Sequence, residues 1–374
     1  MDAEVGIIGL GTMGSMTAWQ LSKQGVSVIG FEKFGIGHDR SAAGGESRIF
    51  RTAYRENTEY VPLLKDAYKL WRELEHESGN QLLHLTKGLT IARPDANYTA
   101  NIWKSIEQFS LEHQILNKNE AKENYPQHKL DPEDIVIIDS NAGILKSQQS
   151  IVSAINRAKN LGAEIYDYSS VKHIHQKGNK VNLEVENKTY SVNKLLITTG
   201  PWSKKFLPKL EKHLKIQRIL NAWFLPKAGQ FSPECFPVFN RSYENGSYYG
   251  VPSANGEMVK LGINGNKATL ESPEDLNKNV NVKEEFKFSE LVKKHFPDLN
   301  KTPSRIEAYM DIYTKDGNPL IGFLDNDNKI LGMTGFSGHG FKMAPVIGKI
   351  GADLITKNKV NYDIIKRCSP SRFM

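Results

Sequence analysis

A short apolar run, Val5-Gly6-Ile7-Ile8, breaks into Gly9-Leu10-Gly11-Thr12-Met13-Gly14 and is followed by a second apolar run that ends at Glu32. Strand, glycine turn, helix and second strand in this order constrain the chain to a βαβ unit of the dinucleotide-binding kind. Gly9 permits the tight turn, Gly11 lets the backbone approach a pyrophosphate, and Gly14 lets the helix pack closely on the sheet. The helix begins at Thr12 and Met13, where free N–H groups and the helix dipole favour phosphate. Glu32, at the end of Val26-Ser27-Val28-Ile29-Gly30-Phe31, is placed to accept hydrogen bonds from ribose hydroxyls. These residues call for an adenine dinucleotide and leave NAD and FAD both open.

The chain has 374 residues, enough for about two domains with sizeable cores. Its 24% of charged residues and mean hydropathy of −0.46 suit a soluble globular enzyme. No apolar stretch approaches the roughly 20 residues of a membrane helix, and the first strand starts without a charged leader, so a cytoplasmic protein with no membrane partner is expected. The two cysteines, Cys235 and Cys368, make no metal-spacing motif, and no metal is expected. The net charge of +7 is spread among acids, as in Lys283-Glu284-Glu285, and no long basic run appears. A solvated basic surface follows, with no nucleic-acid partner.

Further along, a Gly-rich stretch over residues 35–45 leads to Ser47-Arg48-Ile49-Phe50-Arg51. A helix then starts near Thr58, with Leu63, Ala67, Leu70, Trp71 and Leu74 on one face and Gly79 as its stop. Residues from about 82 to 138 read as an excursion into a second domain. A helix carrying Ile151, Ala154, Ile155 and Ala158 leads back, and Val181, Leu183 and Val185 alternate with polar residues as a half-buried strand. Lys194-Leu195-Leu196-Ile197-Thr198-Thr199-Gly200 is a buried strand that ends at a glycine, and Pro201 suits the first turn of a helix. A second excursion runs from about 214 to 310, with aromatic strands around Tyr248-Tyr249, before Ile330-Leu331-Gly332-Met333-Thr334-Gly335 returns to the first domain.

The segment Gly335-Phe336-Ser337-Gly338-His339-Gly340-Phe341-Lys342 is a second junction from strand through glycine loop to helix. A helix N-terminus there would support the negative charge of a reduced flavin, a need that an NAD enzyme does not have. Together with Glu59-Tyr60-Val61-Pro62-Leu63, Tyr248-Tyr249-Gly250-Val251-Pro252, Lys260-Leu261-Gly262 and Tyr313-Thr314-Lys315, these motifs resemble the monomeric sarcosine oxidase and N-methyltryptophan oxidase family over nearly the whole chain.

The resemblance implies an α/β (α+β) fold like that of D-amino-acid oxidase. A Rossmann-like FAD-binding domain (1–82, 139–213, 314–374) would interleave with a mixed-sheet substrate-binding domain (83–138, 214–313). It implies FAD-dependent oxidation of the C–N bond of a secondary (N-methyl or cyclic) amino acid, with oxygen as acceptor, in a monomer. By the same resemblance Arg51 and Lys342 match the pair that holds the substrate carboxylate, a bidentate guanidinium and a point charge. Arg48 and Lys260 match basic residues facing the flavin, Lys260 assisting oxygen activation. Tyr249, Tyr313 and His339 match the lining of the pocket. Lys33, Val171, Gly200 and Trp202 join the cofactor-binding set, as do Gly338, Gly340 and Phe341.

Two departures from the family stand out. Asp311 occupies the place of the cysteine that carries FAD covalently, and a carboxylate forms no thioether, so FAD is expected to be non-covalent. Asn264 replaces a family histidine, and Ala43-Gly44 replace a histidine pair, both on the active-site side of the flavin, which argues against sarcosine itself as substrate. A flavin dehydrogenase using another acceptor, a flavin-binding protein without turnover and an NAD-linked dehydrogenase stand as the alternatives.

Overall fold

A computed structural model describes residues 1–243, 246–252, 257–265 and 267–374. Strand Ala3–Ile8 lies at the centre of an eight-stranded sheet, parallel to Val28–Phe31 on one side and to Lys188–Ile197 on the other. Val5, Ile7 and Ile8 are buried, as a near-continuous apolar run requires when both faces of a parallel strand are covered. Glu164–Tyr166 extends the sheet beyond Val28–Phe31. Lys188–Ile197 pairs antiparallel with Lys180–Val185 along its first half and parallel with Ile330–Thr334 along its last residues.

Helix Thr12–Lys23 is buried from Met13 to Ser22 because Ser147–Asn160 and Ala344–Lys357 both pack on it. The second contact is close: a Cβ on Gly348 would stand 2.6 Å from the carbonyl carbon of Met16, so glycine sets the distance between the two helices. Helix Val61–Ser78 buries Leu63, Ala67, Trp71 and Leu74, half-buries Leu70, and stops at Gly79, whose φ of 68° is left-handed.

The second sheet has nine strands among the described residues. Leu214–Phe224 and Arg305–Thr314 pair antiparallel along almost their whole length, from Leu214 opposite Thr314 to Trp223 opposite Arg305. Val259–Asn264, Gly246–Val251 and Val238–Tyr243 follow, and Gly88–Ala92 joins in parallel, so strands from residues 88–139 and 214–314 share one sheet. Phe288, Leu291 and Val292 of helix Val282–His295 share a core with Phe224, Phe239 and Leu261 of this sheet. A small third sheet of Ser47–Phe50, Gly143–Lys146 and Leu83–Leu85 stands at the seam.

Local form differs from the sequence reading in three places: the helix expected from near Thr58 starts as a 3-10 turn, Thr58–Tyr60, and becomes α-helical at Val61. Pro201 opens a 3-10 turn, Gly200–Trp202, before the short helix Ser203–Phe206. The loop that begins at Gly335 likewise passes through a 3-10 turn, Phe341–Met343, before helix Ala344–Lys357. Among the described residues, no helix is long and apolar enough to cross a membrane, and no group of three acidic, His or Cys side chains could hold a metal ion.

Candidate active site

One cavity of about 790 Å³ is lined by residues of all three sheets, from the first glycine loop at one end to Arg51, Tyr249 and Tyr313 at the other. Gly9 adopts a φ of 86°, and a Cβ on it would come 2.7 Å from the Thr198 carbonyl oxygen. A Cβ on Gly14 would come 2.0 Å from the Gly9 oxygen, whereas one on Gly11 would meet nothing within 4 Å. The first and third glycines therefore close the turn and the second leaves its cavity side open. No side chain caps helix Thr12–Lys23, so its first N–H groups keep their affinity for an anion.

Glu32 is buried, and its two carboxylate oxygens accept from Leu10 N–H at 2.9 Å and Phe34 N–H at 3.0 Å. The His38 Nε2 stands 3.4 Å from one of these oxygens; a carboxylate has about four lone-pair sites, so room is left for a ribose hydroxyl. Lys33 and the Trp202 indole N–H meet on Glu274, at 3.1 and 2.9 Å. An uncapped helix end, an open glycine and a buried carboxylate with spare lone pairs fit the adenosine diphosphate half of FAD.

At the seam, two cations hold the loop before strand Ser47–Phe50. Arg48 donates to the carbonyls of Ala42, Gly44 and Ser47. Lys260 donates to Gly45 O at 2.7 Å and Ser47 O at 2.8 Å. Burial, with Arg48 adding to it, pushes the Lys260 ammonium well below its ordinary value. Lys260 is 2% exposed and, unlike Arg48, does not line the cavity.

At the far end Asp139 accepts from the N–H groups of Thr52 and Ala53 and from the Thr52 hydroxyl, which fixes the turn that presents Arg51. Arg51 Nη2 donates to both oxygens of Glu56, at 3.1 and 3.2 Å, while Nη1 is buried with no partner among the described residues. Burial would raise the Glu56 carboxyl, but Arg51 and Arg55 outweigh it and hold it well below the carboxylate range. Burial lowers the Lys342 ammonium to about 7 against the pull of Glu56, and its Nζ donates to His339 O at 3.1 Å. His339 Nε2 lies 3.2 Å from the Gly317 carbonyl and Nδ1 3.0 Å from the Tyr54 hydroxyl. A carbonyl only accepts, so Nε2 carries the proton and Nδ1 receives the tyrosine's hydrogen. Tyr249 donates to Asn221 at 2.7 Å, and Tyr313 accepts from Lys267.

The structure thus brings the candidate site residues to one cavity, Gly14 and Lys260 excepted, the former packed beneath the loop it shapes, and Ala43 and Gly44 do not line it either. Sequence reasoning missed Glu56, Asp139, Glu274 and Lys267. Only Glu56 had a local cue, an acid closely following Arg51 and Arg55.

The FAD dependent oxidoreductase model, DAO, matches residues 4–354. The chain belongs to this family of FAD-dependent oxidoreductases. A monomeric sarcosine oxidase of Streptomyces avermitilis is 31% identical to this family member over 94% of this chain and 93% of that protein. An N-methyl-L-tryptophan oxidase of Salmonella dublin is 28% identical, over 97% of each. In solved structures the fold is matched by NikD, an unusual amino acid oxidase essential for nikkomycin biosynthesis, with a TM-score of 0.86 and 19% identity over 98% of this chain and 97% of that one.

Proposed function

We propose that this enzyme oxidises the C–N bond of a secondary (N-methyl or cyclic) amino acid, passing the electrons to oxygen. Hydrogen peroxide and an imine would result, and water would hydrolyse the imine to an aldehyde and an amine. The observation that carries this reading is the buried Nη1 of Arg51, which has no partner among the described residues, beside the Lys342 ammonium. A guanidinium nitrogen buried without an acceptor is costly, and a substrate carboxylate supplies the acceptor.

Gly9, Gly11, Thr12, Met13 and Glu32 would hold the adenosine diphosphate half of FAD, with Gly14 shaping the loop. Lys33, Val171, Gly200 and Trp202 would border it. Residues 338–342 would hold the flavin half, with Arg48 beside it. When bound, FAD supplies an acceptor for the hydride of the amine C–H bond and a route for those electrons to oxygen. Tyr249, Tyr313 and His339 would border the amine and exclude water. Lys260 acts in this reading from behind the Gly45 and Ser47 carbonyls that it holds. The amine binds neutral, so no separate base is needed. With Asp311 in place of the attachment cysteine, FAD is non-covalent. The reading includes the two interleaved domains expected from the sequence and a monomeric, cytoplasmic enzyme whose partners are a small amino acid and oxygen.

The test is to purify the yellow protein and add N-methyl, proline-like and glycine-type amino acids without oxygen. Bleaching of the flavin, followed by peroxide formation when air is admitted, is expected. A yellow protein that none of these bleaches overturns the reading, and bleaching without peroxide under air replaces oxygen with another acceptor.

A further inference from the structure

Among the cations that line the cavity, Lys267 has no place in the reaction as proposed. Lys267 lines the wall beside Tyr313, donating to its hydroxyl with Nζ 4.6 Å from the ring centroid. An ammonium carries three donors. Among the described residues, that hydroxyl is the only hydrogen-bond acceptor it has, and Asp311 is the carboxylate that acts on it. Burial lowers its affinity for a proton, and Asp311 only partly offsets this. Asp311 is itself buried and accepts from the Ile312 N–H at 2.8 Å.

Lys267 faces the same chamber as the carboxylate pair. A Cβ on Gly338 would stand 2.7 Å from the Tyr313 hydroxyl oxygen, and the next residue, His339, gives its carbonyl to Lys342. This end of the cavity therefore sets Arg51, Arg55, Lys342 and Lys267 against Glu56 and Asp311. Arg51 and Arg55 already share Glu56. A substrate with one carboxylate answers Arg51 and Lys342 and leaves Lys267 without an anion. A cation in a partly desolvated wall is stabilised by an anion that docks on it.

We propose that the substrate is a secondary amino acid with a second carboxylate on its side chain, of the N-methylaspartate or N-methylglutamate type, its α-carboxylate on Arg51 and Lys342 and its side-chain carboxylate on Lys267. This rests on the function proposed above and narrows its substrate class. Lys267 is then the residue that sets specificity.

The experiment compares kcat/KM of the holoenzyme for N-methylaspartate and N-methylglutamate with that for N-methylalanine and N-methylleucine. A charge-assisted hydrogen bond predicts a preference for the diacids of about tenfold to a hundredfold. Lys267→Met and Lys267→Gln should collapse that ratio, and Lys267→Arg should restore much of it. Binding of succinate and glutarate against butyrate, followed by flavin absorbance, should show the same dependence on Lys267 without turnover. If the neutral amino acids are oxidised as well as the diacids and the ratio is unmoved by Lys267→Met, this inference falls alone. If no secondary amino acid of either kind is oxidised, the proposed function itself falls.

Discussion

Arg51 commits Nη2 to Glu56 and keeps Nη1 buried without a partner among the described residues, so one guanidinium is anchored at one edge and open at the other. The anchor aims the open edge, and Asp139 steadies the backbone beneath it.

Arg51→Met should weaken binding of a simple carboxylate ligand by about a hundredfold, the scale of a bidentate charged contact in a desolvated site. Glu56 would also be left with less compensation, so some loss of stability is expected as well. A ligand titration of the holoenzyme that shifts less than about threefold would remove Arg51 from the carboxylate site.

Lys342 makes carboxylate affinity depend on pH. Its pKa in the folded protein is about 7, against 10.5 in water, so the ammonium is present below about 7 and lost as pH rises through that value. Affinity for a carboxylate ligand should therefore fall by about tenfold between pH ~6 and ~9, then level off because Arg51 stays charged. Lys342→Met should be weak and flat over this range. A wild-type profile without slope would mean that the ammonium does not meet the ligand.

His128 predicts acid sensitivity in the second sheet's core. Its ring stacks on Phe236 at 5.0 Å and meets Phe239 and Phe296 edge-on, with Arg241 and His295 as the charged or titratable groups that act on it. Burial, then Arg241, keep its pKa well below 6.5. The unfolded chain thus takes up the proton first, and stability present above the unfolded value is lost as pH falls through it, at about 1.4 kcal/mol per pH unit. His128→Leu should reduce the drop in melting temperature between pH ~7 and ~5. Equal drops in both proteins would show that the acid limb lies elsewhere.

The first glycine loop gives a separate test of cofactor retention. Gly14→Ala sets a methyl 2.0 Å from the Gly9 oxygen and should cost about 1–3 kcal/mol together with bound FAD. Glu32→Gln keeps the size but weakens the acceptor for Leu10, Phe34 and ribose, so the apparent Kd for FAD should rise about tenfold or more. Fluorescence of FAD released on gel filtration reads both. Unchanged retention in Glu32→Gln would take the ribose role from this carboxylate.

Asp311 predicts that acid precipitation leaves a yellow supernatant and a colourless pellet. Burial pushes its carboxyl up, so its protonated, neutral form gains ground beside the cofactor site. Flavin that sediments with the protein would show a covalent bond through some other residue.

Legibility in the sequence followed the range of the interactions. The turn over residues 9–14, the apolar face from Leu63 to Leu74 and the alternation at Val181, Leu183 and Val185 are set by neighbours along the chain, and each takes the expected form. The pairing of Leu214–Phe224 with Arg305–Thr314, and of Val238–Tyr243 with Gly88–Ala92, depends on register between distant segments, which no local pattern encodes. Asp139 was hidden for the same reason, because it acts from the end of strand Ile135–Asp139 on the turn at Thr52 and Ala53, distant in the chain. No local pattern marks Lys267 among the chain's lysines, since its partner Tyr313 is 46 residues away.

Strand Lys188–Ile197 has the N-terminal strand Ala3–Ile8 on one flank and Ile330–Thr334, just before the second glycine loop, on the other. During synthesis the first loop therefore waits for the residues beyond 330 before the cavity has two ends. A chain cut short before residue 330 would leave the last residues of strand Lys188–Ile197 without their partner on that flank, an open edge prone to aggregation.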